Sequence, residues 1–263
     1  MTGRLHGKVA VITGGGQGVG EGIARTFAAA GANIVIAQRS EQQAQMLLGE
    51  LASAHGVRTL FVPADVTVRQ QVEDMISRTT EAFGRLDVLV NNAGASSPQR
   101  LERMTDETMD RSFRLNYWAV FWAMRAAFPV MKAQGAGRII NMGSLNGVNA
   151  HMFTADYNAS KEAMRALSRT AAVEWGPHGI TVNVICPSAT SPQAKEYFEQ
   201  NPEMMEHLVS QIPAGRLGHA HGDIGPLALY LASDESGFLT GNTLFADGGA
   251  HINGLPWRPA VAD

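Results

Sequence analysis

The stretch that decides the fold is VAVITGGGQGVGEGIARTFAAAG, residues 9–31. It opens with five apolar or β-branched residues, passes through a glycine-rich turn spaced Gly14-x-x-x-Gly18-x-Gly20, and ends in an amphipathic run with helical period. Glycines let the backbone turn sharply and approach a phosphate, whose charge then meets free N–H groups at the helix N-terminus. A glycine-rich turn alone is a weak signal. Its position between the first strand and the first helix favours a dinucleotide-binding turn over an ordinary loop.

The alternation of short apolar runs with longer amphipathic runs continues along the chain and is typical of βαβ units around a parallel sheet. Strands are predicted at residues 9–13, 33–37, 59–62, 86–91, 138–142, 181–185 and 243–246. Helices are predicted at residues 20–30, 41–55, 68–83, 107–133, 155–175, 193–210 and 223–232. No linker or repeat divides them, so we expect one domain over residues 1–263. The predicted fold class is α/β, a doubly wound parallel sheet of about seven strands with helices on both faces.

Composition and charge exclude several other classes of protein. The chain has 21 Lys and Arg against 24 Asp and Glu, a net charge of −3, so nucleic acid is not expected as a partner. Its most apolar stretch, residues 117–131, is interrupted by Arg125 and Pro129 and is shorter than the roughly 20 residues of a membrane span. A single cysteine, Cys186, fits a reducing compartment. We therefore expect a soluble, cytoplasmic protein that does not bind membranes.

A second pattern, Tyr157-Asn158-Ala159-Ser160-Lys161, falls within the predicted helix 155–175. Residues four apart share one helix face, so the Lys161 ammonium can stand near the Tyr157 phenol and favour its ionised form. A phenol with an ordinary pKa of about 10 could then act as an acid or a base at neutral pH. On its own the spacing is common on solvated helices.

Together the two patterns resemble the short-chain dehydrogenase/reductase family, classical type, over residues 5–249. The resemblance rests on several matches in the family's order. They are the turn Thr13 to Gly20, Asp65-Val66, Asn91-Asn92-Ala93-Gly94, Asn116, Ser144 thirteen residues before Tyr157, and Lys161.

The resemblance implies a nicotinamide cofactor and gives four residues a catalytic role. Tyr157 exchanges a proton with the carbonyl or hydroxyl oxygen of the substrate, and Ser144 holds the same oxygen by a hydrogen bond. Lys161 contacts the nicotinamide ribose and lowers the pKa of Tyr157, while Asn116 supports a water chain from Lys161 to solvent. From the residues alone, Ser144 could instead end a strand, and Asn116 could be a buried amide satisfied within its helix.

The resemblance also implies which residues bind the cofactor. They are Gly14, Gln17, Gly18, Val19, Gly20, Arg39, Asp65, Val66, Asn92, Ala93, Gly94, Tyr157, Lys161, Pro187 and Thr190. Thr190 stands one residue away from the family's usual spacing after the sixth strand. Asp65 also has a purely local alternative, an Asx turn before the helix predicted at residues 68–83.

The choice between NADP and NAD depends on the end of the second strand. An enzyme for NAD usually places a carboxylate there, whereas the 2′-phosphate of NADP needs a cation. Here Gln38 stands where the acid would be and Arg39 follows, which favours NADP, with NAD as the alternative. Against this, Gln17 stands where many NADP-dependent relatives carry Arg or Lys. No metal is expected, because His219 and His221 lack accompanying Cys or Glu ligands.

The segment from about residue 188 to 215 contains several prolines around a Met- and Leu-rich helix, and we expect it to form a lid over the crevice. A packed surface helix is an equally good interpretation. Apolar side chains with few charges suit an uncharged, moderately bulky carbonyl or alcohol. The candidate substrate-lining residues are Leu145, His151, Met152, Phe153, Met204, Met205, Leu208 and Val209.

Aromatic side chains surround the predicted helix that carries Asn116, so it needs cover on more than one side. A second subunit is a plausible cover, and a homo-oligomer, dimer or tetramer, is expected. The tail 250–263, with Trp257, could reach a neighbouring subunit.

The expected function is NADP-dependent hydride transfer to or from a small-molecule carbonyl or alcohol substrate, with Tyr157 as general acid or base. Three alternatives remain open. The protein could be an NAD-dependent alcohol dehydrogenase, a non-catalytic dinucleotide-binding sensor on the same fold, or a ketoreductase of acyl-carrier thioesters. The last lacks a visible basic docking patch.

Overall fold

In a computed structural model of the chain, residues 3–189 and 199–252 are described. Seven parallel strands form one sheet in the order β3-β2-β1-β4-β5-β6-β7. The strands are β1 Val9–Thr13, β2 Asn33–Gln38, β3 Thr59–Pro63, β4 Val88–Asn91, β5 Gly137–Met142, β6 Ile180–Pro187 and β7 Thr243–Ala246. The predicted fold class and the seven predicted strands are confirmed.

Helices cover both faces of this sheet. They are α1 Gly18–Ala29, α2 Glu41–His55, α3 Arg69–Phe83, α4 Asp106–Phe113, α5 Ala119–Gln134, α6 Leu145–Val148, α7 Ala155–Trp175, α8 Pro202–Ser210 and α9 Gly225–Ala232. Part of the helix predicted at 193–210, residues 193–198, lies outside the described residues. Of the helices in the described parts of the chain, none is long and apolar enough to cross a membrane.

The side chains of each strand alternate between two hydrophobic cores. Val9 and Val11 of β1 belong to the core with α3, α5 and α7, whereas Ala10 and Ile12 belong to the core with α1, α2 and α9. All five residues of β1 are buried, as expected for a central strand covered on both faces. This two-sided burial explains why the strands are continuous apolar runs in the sequence.

The strand order reverses at β1, which pairs with β2 on one side and with β4 on the other. Crossovers on the two sides of such a point lead away from each other, and a crevice opens at the carboxyl ends of the strands. The glycine-rich turn follows β1, and Asn92 follows β4, so both border this crevice. Ser144 lies just beyond β5, on the same edge of the sheet.

The long helix predicted at residues 107–133 is not regular. Its two halves, α4 and α5, are joined by a π-helical turn at Arg114–Trp118. Asn116 lies within this turn and is fully buried. The stretch is helical as predicted, but the sequence did not indicate the π turn within it. A π turn holds one extra residue, and such turns occur frequently at functional sites.

Candidate active site

The glycine-rich turn leads directly into the N-terminus of α1. Gly18, the first residue of α1, has φ +54°, a conformation that favours glycine. A Cβ on Gly20 would lie 2.4 Å from the carbonyl oxygen of Gly14, so the turn packs too closely for a side chain. Gln17 precedes the helix without capping it through its side chain. The first N–H groups of α1 are thus left for a ligand at the crevice.

Thr13 and Asn92 fasten this turn to the end of β4. The Thr13 hydroxyl accepts hydrogen bonds from the backbone N–H of Asn92 and of Ala93, both at 3.0 Å. In return, the Asn92 amide donates to the carbonyl oxygens of Thr13 (3.0 Å) and Gly14 (3.1 Å). Sequence reasoning gave Thr13 no role. The sequence feature that could have indicated a role is that Thr13 places a hydroxyl at the end of an otherwise apolar buried strand.

Gln38 also holds the glycine-rich turn. Its Oε1 accepts from the backbone N–H of Gly16 at 2.8 Å, and its Nε2 donates to the carbonyl oxygen of Ser40 at 2.7 Å. Both polar atoms of the amide are therefore used within the protein. Arg39, by contrast, is exposed on the crevice. The side chain free to meet a charged ligand at the end of β2 is that of Arg39.

Asp65 forms the local turn that the sequence allowed as an alternative. Its Oδ1 accepts from the backbone N–H (2.9 Å) and the hydroxyl (2.7 Å) of Thr67. The hydroxyl bond is the main reason that the pKa of Asp65 is lowered, and Arg39 contributes a smaller attraction. The carboxylate nevertheless borders the crevice, so the turn and a contact with a cofactor are compatible.

The crevice is a cleft of about 740 Å³. Of the residues predicted to bind a cofactor, those that line it are Gly14, Gln17, Gly18, Val19, Arg39, Asp65, Val66, Asn92, Ala93, Gly94, Tyr157, Lys161 and Pro187. Gly20 lies behind the turn, and Thr190 lies outside the described residues. The cleft fits a dinucleotide. The free N-terminus of α1 can bind its phosphates, the glycine-rich turn lets the backbone come close to them, and the volume is large enough.

Tyr157, Ser144 and Lys161 come together at this cleft. The Lys161 Nζ atom lies 5.5 Å from the centre of the Tyr157 ring, on the same face of α7. Ser144 is the N-cap of α6, and its hydroxyl accepts from the backbone N–H of Asn146 at 3.1 Å. Burial raises the pKa of Tyr157, and a hydrogen bond with Ser144 opposes that rise. Among the protein's own groups, burial therefore holds the phenol protonated, and the lowering of its pKa by Lys161 beside a bound cofactor stays a prediction.

Lys161 is buried and is held by the sheet. Its ammonium donates to the carbonyl oxygen of Met142 at 2.7 Å, and burial lowers its pKa to about 8. The Asn116 amide donates to the carbonyl oxygens of Ala95 and Ser112, both at 3.1 Å, while its buried Oδ1 has no partner. The helix thus satisfies only the donor half of this amide.

The unpaired Asn116 oxygen and the Lys161 ammonium face each other across Gly94. A Cβ on Gly94 would lie 2.8 Å from Asn116 Oδ1 and 3.3 Å from Lys161 Nζ. The space beside Gly94 therefore borders both a buried acceptor and a buried donor. A water molecule there would meet the polar partners that a buried water needs.

Cys186, at the end of β6, is a buried thiol as expected, and burial raises its pKa to about 11. A thiol that stays protonated is a poor nucleophile. The described residues contain no cluster of His, Cys, Asp and Glu that could hold a metal ion. His221 instead places Nδ1 3.1 Å from the Thr26 hydroxyl.

None of the predicted substrate-lining residues is among those that line the cleft, and they lie in the segment after Ser144 and on α8. The loop after Ser144 holds Ala150 at φ +50° and Phe153 at φ +67°, a strained conformation for side-chain-bearing residues. The His151 carbonyl oxygen fixes this loop by accepting from the Thr154 hydroxyl (3.2 Å) and the Asn158 amide (2.9 Å). His151, Met152, Phe153, Met204 and Leu208 are exposed, Met205 and Val209 are half-buried, and Leu145 is buried.

Comparisons with known proteins agree with this geometry. A family model described as enoyl-(acyl carrier protein) reductase matches residues 14–251. The chain is 37% identical over 254 residues to the 12alpha-hydroxysteroid dehydrogenase of a Clostridium species, covering 94% of this chain and 98% of that protein. It is 38% identical over 249 residues to the 2,5-dichloro-2,5-cyclohexadiene-1,4-diol dehydrogenase LinX of Sphingobium indicum, covering 95% and 98%.

A solved structure gives the same result. It belongs to a putative short-chain alcohol dehydrogenase from Sinorhizobium meliloti and superposes with a TM-score of 0.89 at 28% identity, covering 95% of this chain and 98% of that chain. The fold and the cleft define a dinucleotide-binding oxidoreductase. The chain belongs to the short-chain dehydrogenase/reductase family and is an NAD(P)-dependent enzyme of that family.

Proposed function

We propose that this protein is an NADP-dependent oxidoreductase that transfers a hydride between the nicotinamide and an uncharged, moderately bulky ketone or secondary alcohol. The observation that carries the proposal is the convergence of Tyr157, Ser144 and Lys161 beside a cleft that the glycine-rich turn also borders. A proton donor and a hydride-binding site in one place are what carbonyl reduction requires.

The glycine-rich turn and the N-terminus of α1 would hold the pyrophosphate, and Asn92, Ala93 and Gly94 would hold the middle of the cofactor. When bound, the nicotinamide supplies or accepts the hydride. Tyr157 donates its phenolic proton to the carbonyl oxygen of a ketone, and Ser144 donates a hydrogen bond to the same oxygen. Because burial keeps the phenol protonated, the site is set for reduction near neutral pH.

Lys161 and Asn116 assist Tyr157 without contacting the substrate. The buried ammonium stabilises negative charge on the phenol oxygen after proton donation. Once Lys161 has released a proton towards the phenolate of Tyr157, water beside Gly94, held between Asn116 Oδ1 and Lys161 Nζ, would return a proton from solvent to Lys161. Asn116 is in place for this because the π turn carries it into the protein interior.

The cofactor is proposed to be NADP rather than NAD. Gln38, where an NAD enzyme would carry an acid, is neutral and has both amide atoms engaged. The exposed Arg39 is the cation at this end of the cleft and can meet a 2′-phosphate. Titration of the protein with NADPH and NADH, followed by fluorescence of the reduced ring, measures the preference. Tighter binding of NADH would contradict it.

Two named relatives support a cyclic alcohol or ketone as substrate. One is a hydroxysteroid dehydrogenase and the other a cyclohexadiene-diol dehydrogenase, and the names of both describe ring alcohols. In this chain four of the predicted substrate-lining residues are exposed apolar side chains: Met152, Phe153, Met204 and Leu208. Such a surface suits an uncharged ring better than a small anion.

An acyl-carrier thioester is the second candidate, because the matching family model is described as an enoyl-(acyl carrier protein) reductase. An acidic carrier would need a basic surface. The exposed segment around α4 carries Arg100, Arg103 and Arg111 but interleaves them with Glu102, Asp106 and Asp110. Charges of both signs therefore alternate where a carrier would dock, which favours a free small molecule.

The decisive experiment is Tyr157→Phe. It removes the phenolic proton and leaves the ring in place, so we expect kcat for ketone reduction to fall by about 10² to 10⁴-fold. The Kd of NADPH, measured by fluorescence, should change by less than threefold, which separates chemistry from cofactor binding. Undiminished turnover in Tyr157→Phe contradicts the mechanism. Cofactor binding without turnover of any ketone or alcohol by the wild-type protein favours a sensor.

A further inference from the structure

A buried carboxylate, that of Asp247, lies just after β7. The Asp247 side chain is 1% exposed and accepts from the backbone N–H of Gly249 (3.0 Å) and His251 (2.8 Å). Its Oδ2 is also 2.9 Å from Nδ1 of His251. A carboxylate only accepts, so the bond places the proton of a neutral His251 on Nδ1 and leaves Nε2 as an acceptor.

The His251 ring is fixed in its plane as well as in its tautomer. It stacks on Phe245 with ring centres 4.2 Å apart and an interplanar angle of 11°. Its side chain remains 30% exposed, and Nε2 makes no hydrogen bond to any residue in the described parts of the chain. The buried Asp247 carboxylate and the Phe245 ring thus hold the imidazole in one orientation. Its Nε2 atom is available to bind a ligand.

The sheet register places the ring that His251 stacks on, Phe245, beside a residue that adjoins the cleft. Phe245 pairs with Cys186 of the neighbouring strand, and side chains paired in a parallel sheet share a face. The Cys186 thiol adjoins the cleft, because a Cβ on Gly143, which lines the cleft, would lie 2.7 Å from Cys186 Sγ. Ser144 follows β5, which is two strands from β7, so the ends of the strands that lead to Ser144 and to His251 lie roughly 10 Å apart across the sheet.

The chain after α8 packs against the same turn. The backbone N–H of Ala214 donates to the carbonyl oxygen of Gly248 at 3.0 Å, and a Cβ on Gly248 would lie 2.8 Å from Ile212 Cγ2. The exposed Met204 and Leu208 of α8 therefore belong to the segment that is anchored beside His251. The chain that follows α8 is thus joined to the turn that carries His251.

We propose that His251, oriented by Asp247, binds a second hydroxyl group of the substrate at the end opposite the reacting oxygen. The inference rests on the proposed function and narrows its substrate to a rigid hydroxylated ketone or diol that can span the roughly 10 Å between the ends of β5 and β7. The hydroxyl donates to Nε2. An anionic group is disfavoured there because the Asp247 carboxylate stands behind the ring.

The test uses three probes that differ only at the distal end. They are 4-cyclohexylcyclohexanone, its counterpart with a trans hydroxyl on the distal ring carbon, and the methyl ether of that hydroxyl. Affinity for the NADPH complex is measured by nicotinamide fluorescence on proteins that also carry Tyr157→Phe, which prevents turnover during the titration, and kcat and KM are measured on the proteins that keep Tyr157. We expect the wild-type protein to bind the hydroxylated ketone about tenfold more tightly than the other two, as one hydrogen bond allows.

His251→Phe keeps a ring on Phe245 but removes Nε2, so the preference should fall to about one. Asp247→Asn should place the proton on Nε2 and make the methyl ether bind as well as the hydroxyl compound. His55→Phe, an exposed histidine on α2, is the control and should keep the tenfold preference. Melting temperatures of all variants confirm that they fold.

A preference that survives in His251→Phe overturns the inference, and so does a wild-type protein that binds the probes equally or binds none. Because affinity is measured without turnover, the two proposals fail separately. A His251-dependent preference without any ketone reduction would contradict the hydride-transfer function and support the binding role of His251.

Discussion

Lys161 is a fully buried ammonium, and burial lowers its pKa from 10.5 to about 8. The unfolded chain keeps this proton up to about pH 10.5, whereas the folded protein releases it near pH 8, so the unfolded state binds more protons between these values. The free energy of unfolding therefore rises with pH in this window, and the charged lysine destabilises the fold most below pH 8.

Lys161→Met should consequently gain stability over the wild-type protein near pH 7 and lose this advantage as the pH rises. The difference in unfolding free energy should change by roughly 3 kcal/mol between pH 7 and 10.5, since one pKa unit corresponds to about 1.4 kcal/mol. The lost hydrogen bond to Met142 offsets part of the gain at every pH. Urea unfolding at several pH values measures the change, with the exposed Lys132→Met as control. A pH-independent difference contradicts the prediction.

A substitution at Gln38 tests the preference for NADP over NAD. In Gln38→Glu one carboxylate oxygen can still accept from the backbone N–H of Gly16, but the new charge repels a 2′-phosphate. We expect the ratio of kcat/KM for NADPH over NADH to fall at least about tenfold, as a difference of 1.4 kcal/mol would produce. Gln38→Met loses the bond without adding charge and separates the two effects. An unchanged ratio in Gln38→Glu would show that Arg39 and Gln38 do not face a phosphate.

Sequence alone was informative about residues whose chemistry is rare at a given spacing. Tyr157, Lys161 and Ser144 were found because a phenol, an ammonium and a hydroxyl recur in a known order. The hydrogen bonds of Gln38 and Thr13 were not foreseen, since an amide or hydroxyl finds its partner only when a turn from another part of the chain comes near. Whether the pKa of Tyr157 is raised or lowered also depends on how deeply the residue is buried, and the sequence around Tyr157 does not show this.

At the scale of elements, glycine has opposite effects in two helices. In α1, a Cβ on Gly22 would lie 2.4 Å from the carbonyl carbon of Ala220 and 2.6 Å from the backbone nitrogen of His221, and backbone atoms cannot move aside. In α2, a Cβ on Gly49 would meet nothing within 4 Å. The first glycine is required for packing, whereas the second only weakens its helix.

Gly22→Ala should therefore destabilise the protein by about 1 to 3 kcal/mol or more through overpacking. Gly49→Ala should stabilise it by about 1 kcal/mol, because alanine is the better helix former. In thermal unfolding we expect Gly49→Ala to raise Tm by about 2 to 4 °C and Gly22→Ala to lower it by more. The same shift in both variants would mean that the contact between α1 and Ala220 is looser than the structure shows.

The strand bounds followed closely from sequence, because strands buried on both faces are continuous apolar runs between polar segments. β1 and β7 occupy the residues predicted for them, and β6 extends the prediction by a residue or two at each end. The π turn at Arg114–Trp118 was missed, since the apolar period on either side of it is that of an ordinary helix. Its extra residue turns Asn116 inward, and only the packing of α4 and α5 shows this.

At the scale of the molecule, residues far apart in sequence meet because parallel strands end at one edge of the sheet. Gly14, Asn92 and Pro187 all border one cleft for that reason, and the alternation of strands and helices was enough to predict it. The mouth of the site was harder to predict. Its loops are fixed by local hydrogen bonds such as those of His151, and the pairing of His251 with Asp247 depends on the turn after β7.

The outer face of α5 and α7 carries the last prediction. Trp118 is 43% exposed and packs edge-on against Tyr117 (5.3 Å) and Phe121 (5.8 Å), and Val173 on α7 is 79% exposed. The opposite side of α5 is already buried against the sheet. This helix is therefore apolar on two sides. Its exposed apolar side is suited to contact a second copy of the chain. Light scattering should give two or four times 28.1 kDa for the wild-type protein.

Trp118→Glu combined with Val173→Glu should lower that mass towards 28.1 kDa, because a carboxylate buried without a partner between apolar surfaces opposes association. Met46→Glu, an exposed position on α2, introduces the same charge away from this face and should leave the mass unchanged. Since ligands that bind only the folded state stabilise it, added NADPH should still raise Tm in the double variant if the cleft is intact. A wild-type protein that is monomeric at micromolar concentration, or a double variant that retains the full assembly, would place the subunit contact elsewhere.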